Sequence, residues 1–149
     1  MSYKGKYKVK NREKYVGAVD NVQYRSSWER RFMVYCDVTQ SKIVRWSSEE
    51  LILPYRSPVD GKIHRYFPDF WIEQRSEDGR LSTMVIEVKP KKECGPPNPP
   101  KTKNSRSKYK YLSELKTWKV NEAKWKVAEE FCRDRKWQFK LLTEDHLVK

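Results

Sequence analysis

The apolar positions of this chain change period along its length. Between Tyr24 and Asp37, Trp28, Phe32, Tyr35 and Cys36 recur at helical spacing. Ser26 or Ser27 is placed to cap, and Glu29 falls in the first turn, so the spacing predicts an amphipathic helix of about three turns. From residue 43 to 90 the period drops to two. "KIVRW" reads as a short strand, and "EELILPY", "IHRYFPDFWIEQ" and "STMVIEVKP" read as three longer ones. "PVDGK" and "SEDGR" separate those three, and each supplies a three-residue loop ending in glycine. Such a loop suits a type I turn with Gly61 or Gly79 in the left-handed position. Helical spacing returns in "SKYKYLSELKTWK", with Tyr111, Leu112, Leu115 and Trp118 on one stripe. It continues in "NEAKWKVAEEFCRDRK", with Asn121 as the expected N-cap and Ala128, Phe131 and Cys132 facing inward. "WQFKLL" closes as a strand, and Thr143 is placed to cap a short terminal turn.

Two stretches fall outside these patterns. Residues 1–23 alternate Lys with Tyr and Val without a clear period, and are expected to form an exposed basic arm, with six Lys/Arg up to Lys14 free to meet phosphates. Residues 91–107, "KKECGPPNPPKTKNSRS", hold four prolines and two asparagines and continue neither a strand nor a helix. They are expected to form a flexible basic loop or lid. The element order αβββ(β)ααβα predicts one mixed α/β (α+β) domain over 24–149: a central mixed sheet built around a meander and flanked by helices, with no internal repeat.

Composition adds a core and a charge. At 149 residues the chain buries roughly 70% of its unfolded surface on folding. Six Trp, nine Tyr and five Phe supply the apolar side chains for this. The formal charge is +13 and the mean hydropathy −1.00. A net charge this high on a small domain points to a polyanionic partner. Nucleic acid leads, an anionic membrane surface trails, and a soluble basic protein without such a partner is the alternative. No apolar run approaches the ~18 residues of a membrane span, and no apolar stretch follows the basic N-terminus as a signal peptide requires. Cys36, Cys94 and Cys132 match neither a zinc spacing nor a disulfide framework. Cys36 and Cys132 are expected as buried thiols, and the chain as intracellular.

Asp69 is the anomaly. It sits among Phe67, Phe70, Trp71 and Ile72, where a carboxylate costs several kcal/mol unless something compensates its charge. If Glu77-Asp78-Gly79 is the loop, Ser76 faces Arg80 and Asp69 faces Glu87. Directly opposed residues share a face with Cβ atoms about 5 Å apart. Lys89 lies two positions on, on that same face. Two carboxylates so close repel unless a proton or cation lies between them. A hard divalent ion such as Mg²⁺ takes one or two carboxylates plus water and phosphate oxygens, and Lys89 is placed to hold or polarise an attacking water. The other reading is a salt bridge from Lys89 to Glu87 or Asp69 on a solvated sheet face.

"YFPDFWI", followed by "IEVKP", resembles the PD-(D/E)xK nuclease superfamily. "YRSSWERRF", "WSSEELILPY", "HRYFPDFWI" and "EVKP", in this order, resemble the head-completion nucleases of large contractile-tailed bacteriophages. The resemblance covers roughly Tyr24 to Leu147 and implies a restriction-endonuclease-like core. It implies metal ligation by Asp69, Glu87 and the Val88 carbonyl, with Lys89 as the catalytic lysine and Mg²⁺ as cofactor, for which Mn²⁺ would substitute. Glu29 would be the acidic residue that many members present from the first helix. Its other reading is a contact with Arg25 one turn away on an exposed helix side. The implied activity is a DNA endonuclease acting on packaged phage DNA ends while the head is completed for tail joining. Portal or neck proteins would be neighbours, in the bacterial host cytoplasm or in the virion head or neck. The alternative from another class is a non-catalytic head-neck protein that caps DNA ends.

From Lys89 to Lys119 there are ten Lys/Arg against two Glu, interleaved with Tyr109, Tyr111 and Trp118. Lys91, Lys92, Lys101, Lys103, Arg106, Lys108 and Lys110 are the expected phosphate contacts, which position duplex DNA without reading its sequence. Arg25 and Arg65 flank the acidic positions, either to hold a scissile phosphate or to pair with Glu29 or Glu49. His64 and His146 fit no ligand spacing.

Overall fold

The computed structural model describes residues 4–147. Strand β1 (Gly5–Lys6) pairs with β2 (Gln23–Tyr24), and helix α1 (Ser27–Asp37) follows. Strands β3 (Ile43–Ser48), β4 (Leu53–Arg56), β5 (Ile63–Tyr66), β6 (Phe70–Arg75) and β7 (Leu81–Val88) come next, then α2 (Ser105–Asp134), β8 (Gln138–Leu142) and α3 (Glu144–Leu147). The central sheet has the order β3-β6-β7-β8. Its first three strands are antiparallel and β8 runs parallel to β7, so the sheet is mixed as expected. No helix among the described residues is long and apolar enough to cross a membrane.

Side chains alternate across the strands, and each face of the sheet has its own cover. On one face Phe70, Ile72, Met84, Ile86 and Val88 form a core with Phe32, Met33 and Cys36 of α1 and with fully buried Trp46. On the other, Phe139 and Leu141 meet Trp125, Ala128 and Phe131 of α2 and the β4–β5 hairpin. Burying each large apolar side chain contributes ~1.5–3 kcal/mol. Ser26 caps α1, its hydroxyl accepting from the Glu29 amide at 3.1 Å. Gly61 and Gly79 turn the hairpins at φ 71° and 85°. The β6–β7 pairing runs from Phe70 opposite Ile86 to Arg75 opposite Leu81, the register the loop predicted. Tyr35, assigned to the buried stripe of α1, is instead half exposed.

The segment expected as one strand, "IHRYFPDFWIEQ", divides in two. Pro68 has no N–H to give a ladder, so the chain leaves one sheet before it and enters another after it. β5 pairs with β4, and β6 lies between β3 and β7. The two expected helices merge into one. Nothing between Ser105 and Asp134 is a glycine or proline, and Trp118, Asn121, Trp125, Ala128 and Cys132 form an unbroken inward stripe. Asn121 is therefore buried mid-helix, and the cap is Asn104, whose side chain accepts from the Ser107 amide at 2.8 Å.

The exposed arm expected over 1–23 is also corrected from residue 4 onward, residues 1–3 lying outside the described residues. Tyr7, Val9, Tyr15 and Val22 are buried against Trp46 and α1, with the Tyr15 ring edge-on to Trp46 at 4.8 Å. Asp37, at the end of α1, is buried and accepts from the Tyr7 hydroxyl (2.7 Å) and the amides of Lys10 (2.8 Å) and Asn11 (3.0 Å). Lys14 is not free to meet phosphates. Its Nζ donates to the Val38 carbonyl at 2.6 Å, placing a cation at the negative end of the α1 dipole. Lys4, Lys6, Lys8, Lys10 and Arg12 remain exposed.

Candidate active site

Where the chain crosses between sheets, Asp69 is placed directly after Pro68. The β6–β7 register, continued by one pair, sets it opposite Glu87 on the face covered by α2 and β5. Its carbonyl accepts from the Glu49 amide (3.2 Å), and its Oδ2 accepts from the Val88 amide at 2.7 Å. Glu87, 6% exposed, accepts from the Tyr66 hydroxyl through Oε1 at 2.9 Å, and Lys89 Nζ lies 4.0 Å from its Oε2. The group opens into a cleft of about 550 Å³ that also takes in Arg25, Glu49, Arg65 and Lys124.

Burial, and then the charge of Glu87, hold the Asp69 carboxyl well above the usual carboxylate range, against the Val88 amide and Lys89. Burial also raises Glu87, opposed by the Tyr66 hydrogen bond and Lys89. Tyr66 itself is pushed up by burial and by Glu87, so its hydroxyl stays a donor. Two buried carboxylates whose nearest cation is a lysine at the limit of ion-pair distance favour a bound proton or cation. No three His, Cys, Asp or Glu side chains converge on a metal position among the described residues. The donor set is two carboxylates with room for water, and hard oxygen donors of this kind fit Mg²⁺ or Mn²⁺, which keep several waters.

The remaining expected residues are distributed unevenly. Glu29 is half-buried, accepting from the Ser26 hydroxyl (3.3 Å) and the Arg25 amide (3.4 Å). Burial raises its carboxyl, and its charge contributes to raising Asp69. The Arg25 guanidinium pairs with Glu49 at 2.8 Å. Arg65 is exposed in the cleft, 5.6 Å over the ring of Phe67. Lys91 is tied to α3, its amide 3.1 Å from a Glu144 carboxylate oxygen and its Nζ 3.2 Å from Asp145. Lys92 borders a separate groove beside α2. Lys101, Lys103, Arg106, Lys108 and Lys110 are exposed on and just before the first turns of α2, and Lys110 lies 4.0 Å from Glu114. His64 pairs with Asp60, and His146 accepts from the Thr143 amide.

Sequence reasoning missed Tyr66 and Lys124. Tyr66 carries a signal, because a tyrosine on a buried strand face needs a partner for its hydroxyl. Lys124 carries one too: it lies three residues after Asn121 and four before Ala128, a lysine on the inward stripe of α2. Glu49 is expected only as a partner for Arg25 or Arg65 and does pair with Arg25, but its left-handed backbone (φ 55°) and its place in the cleft appear only in the fold.

The family model of the TnsA-like endonuclease N-terminal domain matches residues 40–144, a span that holds Asp69, Glu87, Lys89 and Lys124. The chain is 39% identical over 147 residues to the head completion nuclease of Enterobacteria phage T4, covering 99% of this chain and 95% of that protein. No solved structure matches it significantly. A mixed sheet flanked by helices, with a carboxylate cleft inside the matched span, accords with both findings, and the chain belongs to the TnsA-like endonuclease N-terminal family, as a nuclease.

Proposed function

We propose that this protein is a Mg²⁺-dependent DNA endonuclease of the PD-(D/E)xK type. It acts on packaged phage DNA ends as the head is completed, before tail joining. The observation that carries the reading is the buried Asp69–Glu87 pair opening, with Lys89, into a basic-rimmed cleft. Asp69, Glu87 and the Val88 carbonyl would hold Mg²⁺, with Mn²⁺ able to substitute. Bound there, the ion supplies charge stabilisation at the phosphate and a more acidic water. Lys89, beside Glu87, positions the attacking water and balances carboxylate charge. Tyr66 fixes the Glu87 carboxylate, and the Val88 amide fixes that of Asp69. Glu29 adds negative charge near Asp69 from the capped first turn of α1.

Duplex DNA is the polyanion that a charge of +13 calls for. Lys91, Lys92 and the run from Lys101 to Lys110 contact its backbone, while Arg25 and Arg65 stand at the cleft. The relative's name places it in head completion, and that role is extended here to this chain. It would work in the bacterial host cytoplasm or at the virion head or neck, next to portal or neck proteins. The test is cleavage of linear and branched duplex DNA with Mg²⁺ or EDTA. The wild type should cut only with metal. Glu87→Gln should lose more than the ~10–100-fold typical of an outer partner. Equal cutting by Glu87→Gln, or cutting in EDTA, refutes the reading.

A further inference from the structure

Lys124 projects from the inward stripe of α2 into the carboxylate cleft. Its Nζ lies 5.7 Å from the ring centre of Tyr55 and 5.6 Å from that of Tyr66, the tyrosine that holds Glu87. No described carboxylate comes within ion-pair distance of it. The other cations of the cleft are matched or wet: Arg25 pairs with Glu49 at 2.8 Å, Lys89 stands 4.0 Å from Glu87, and Arg65 is exposed. Lys124 is therefore a half-buried ammonium without an ion pair, facing a cleft that already holds two carboxylates.

We propose that the Lys124 ammonium binds a non-bridging oxygen of the scissile phosphodiester. The inference rests on the nuclease reading above and adds to it the group that grips the reacting phosphate. A desolvated ammonium is costly to fold unless an anion completes it. Burial accordingly pushes the lysine below its ordinary range, with Glu87 and Asp69 opposing that shift only through space. Lys89 reaches Glu87 only at 4.0 Å, and no described carboxylate reaches Lys124. A phosphodiester entering the cleft gives the Lys124 ammonium its anion, while the carboxylates would be neutralised by the metal ion they would hold. The two tyrosine rings hold the ammonium itself at cation–π distance and limit where it can go, which preorganises the contact. A purely structural role, in which the ammonium only makes cation–π contacts with the rings, also needs the charge but touches no phosphate oxygen and so predicts no change in sulfur effect.

The test uses the full chain with Mg²⁺ and a short duplex whose cut position is mapped with the wild type. Its scissile phosphate carries oxygen or a phosphorothioate in each of the two configurations. Lys124→Met keeps the stem and removes the charge, and Lys124→Arg keeps a charge. The expected result is a fall in kcat of about 10²-fold in Lys124→Met, the scale of losing one preorganised donor. The salt slope of DNA binding in Ca²⁺ should change by at most ~1. One phosphorothioate isomer should slow the wild type and lose that extra penalty in Lys124→Met, and Lys124→Arg should recover part of the rate. Because the sulfur effect is a ratio within each enzyme, it decides the matter even if Lys124→Met melts early. Wild-type kcat in Lys124→Met, or identical sulfur effects in both enzymes, overturns the inference. A wild type that cuts no DNA at all overturns the nuclease reading as well, whereas an active wild type with an indifferent Lys124→Met overturns only this assignment.

Discussion

Replacing Tyr66 with phenylalanine removes one oxygen from a ring that is 3% exposed and leaves the ring's packing in the α2-side core intact. No cavity follows, so the loss is the 2.9 Å hydrogen bond to Glu87. A hydrogen bond to an ionised group contributes ~1.5–3 kcal/mol. For a domain of this size, 1 kcal/mol moves Tm by roughly 2–4 °C, so Tyr66→Phe should melt about 3–12 °C below wild type at neutral pH. The pH dependence has a fixed sign. Tyr66 opposes the raised pKa of Glu87, and without it that pKa rises further above its unfolded value. The deficit is therefore fully present above the folded-state pKa of Glu87 and shrinks as pH falls through it, because a neutral carboxyl loses less without the donor. Thermal melts in EDTA, followed by circular dichroism at neutral pH and at about pH 5, measure both effects. Unchanged melting at neutral pH, or a deficit that grows on acidification, refutes the argument that Tyr66 stabilises an ionised Glu87.

Asp69→Asn keeps an acceptor for the Val88 amide and removes one of two mutually repelling charges. The metal-free variant should melt above the metal-free wild type at neutral pH. A carboxyl raised in the folded state makes wild-type stability climb as pH falls through that raised pKa, so the gap should close on acidification. Millimolar Mg²⁺ should raise the Tm of the wild type and not of Asp69→Asn, and equal responses count against the pair as the binding site. Asp37→Ala strands the Tyr7 hydroxyl and two amides, at a cost of roughly 2–4 kcal/mol. Limited proteolysis should then cut within residues 5–24, and uncut protein would show that this clasp is dispensable. Neutralising Lys101, Lys103, Arg106, Lys108 and Lys110 together should flatten the salt dependence of DNA binding by up to about four log units per log salt, read by fluorescence anisotropy. An unaltered slope would place the DNA elsewhere.

Much of the site was legible in the chain because its key constraint is local. A hairpin closed by a three-residue loop fixes its own register, and that register alone sets Asp69 opposite Glu87, two positions from Lys89. Likewise α1 and its Ser26 cap follow from nearby spacing, because a capped helix needs only its own turns. Chain breaks were read less well where a breaker and a tolerated residue look alike. Pro68 split a strand that apolar content made continuous, whereas Asn121, a good cap in isolation, sits inside a helix held straight by tertiary packing. The N-terminal alternation of Tyr7 and Val9 with Lys8 and Lys10 was present, but it is too short to specify burial without a partner surface.

The sequence by itself determined the carboxylate pair, its lysine, the two hairpin turns and the excess of positive charge. All of these are set by composition or by pairing within one hairpin closed by a tight turn. The expected meander, by contrast, became two hairpins in separate sheets. Only the tertiary structure decided which helix covers which face of the sheet. That choice brings Tyr66 and Lys124 onto the carboxylates, ties Arg25 to Glu49, and buries Lys14 at the end of α1. These contacts join segments distant along the chain, and a one-dimensional period says which side chains face inward but not what they meet there.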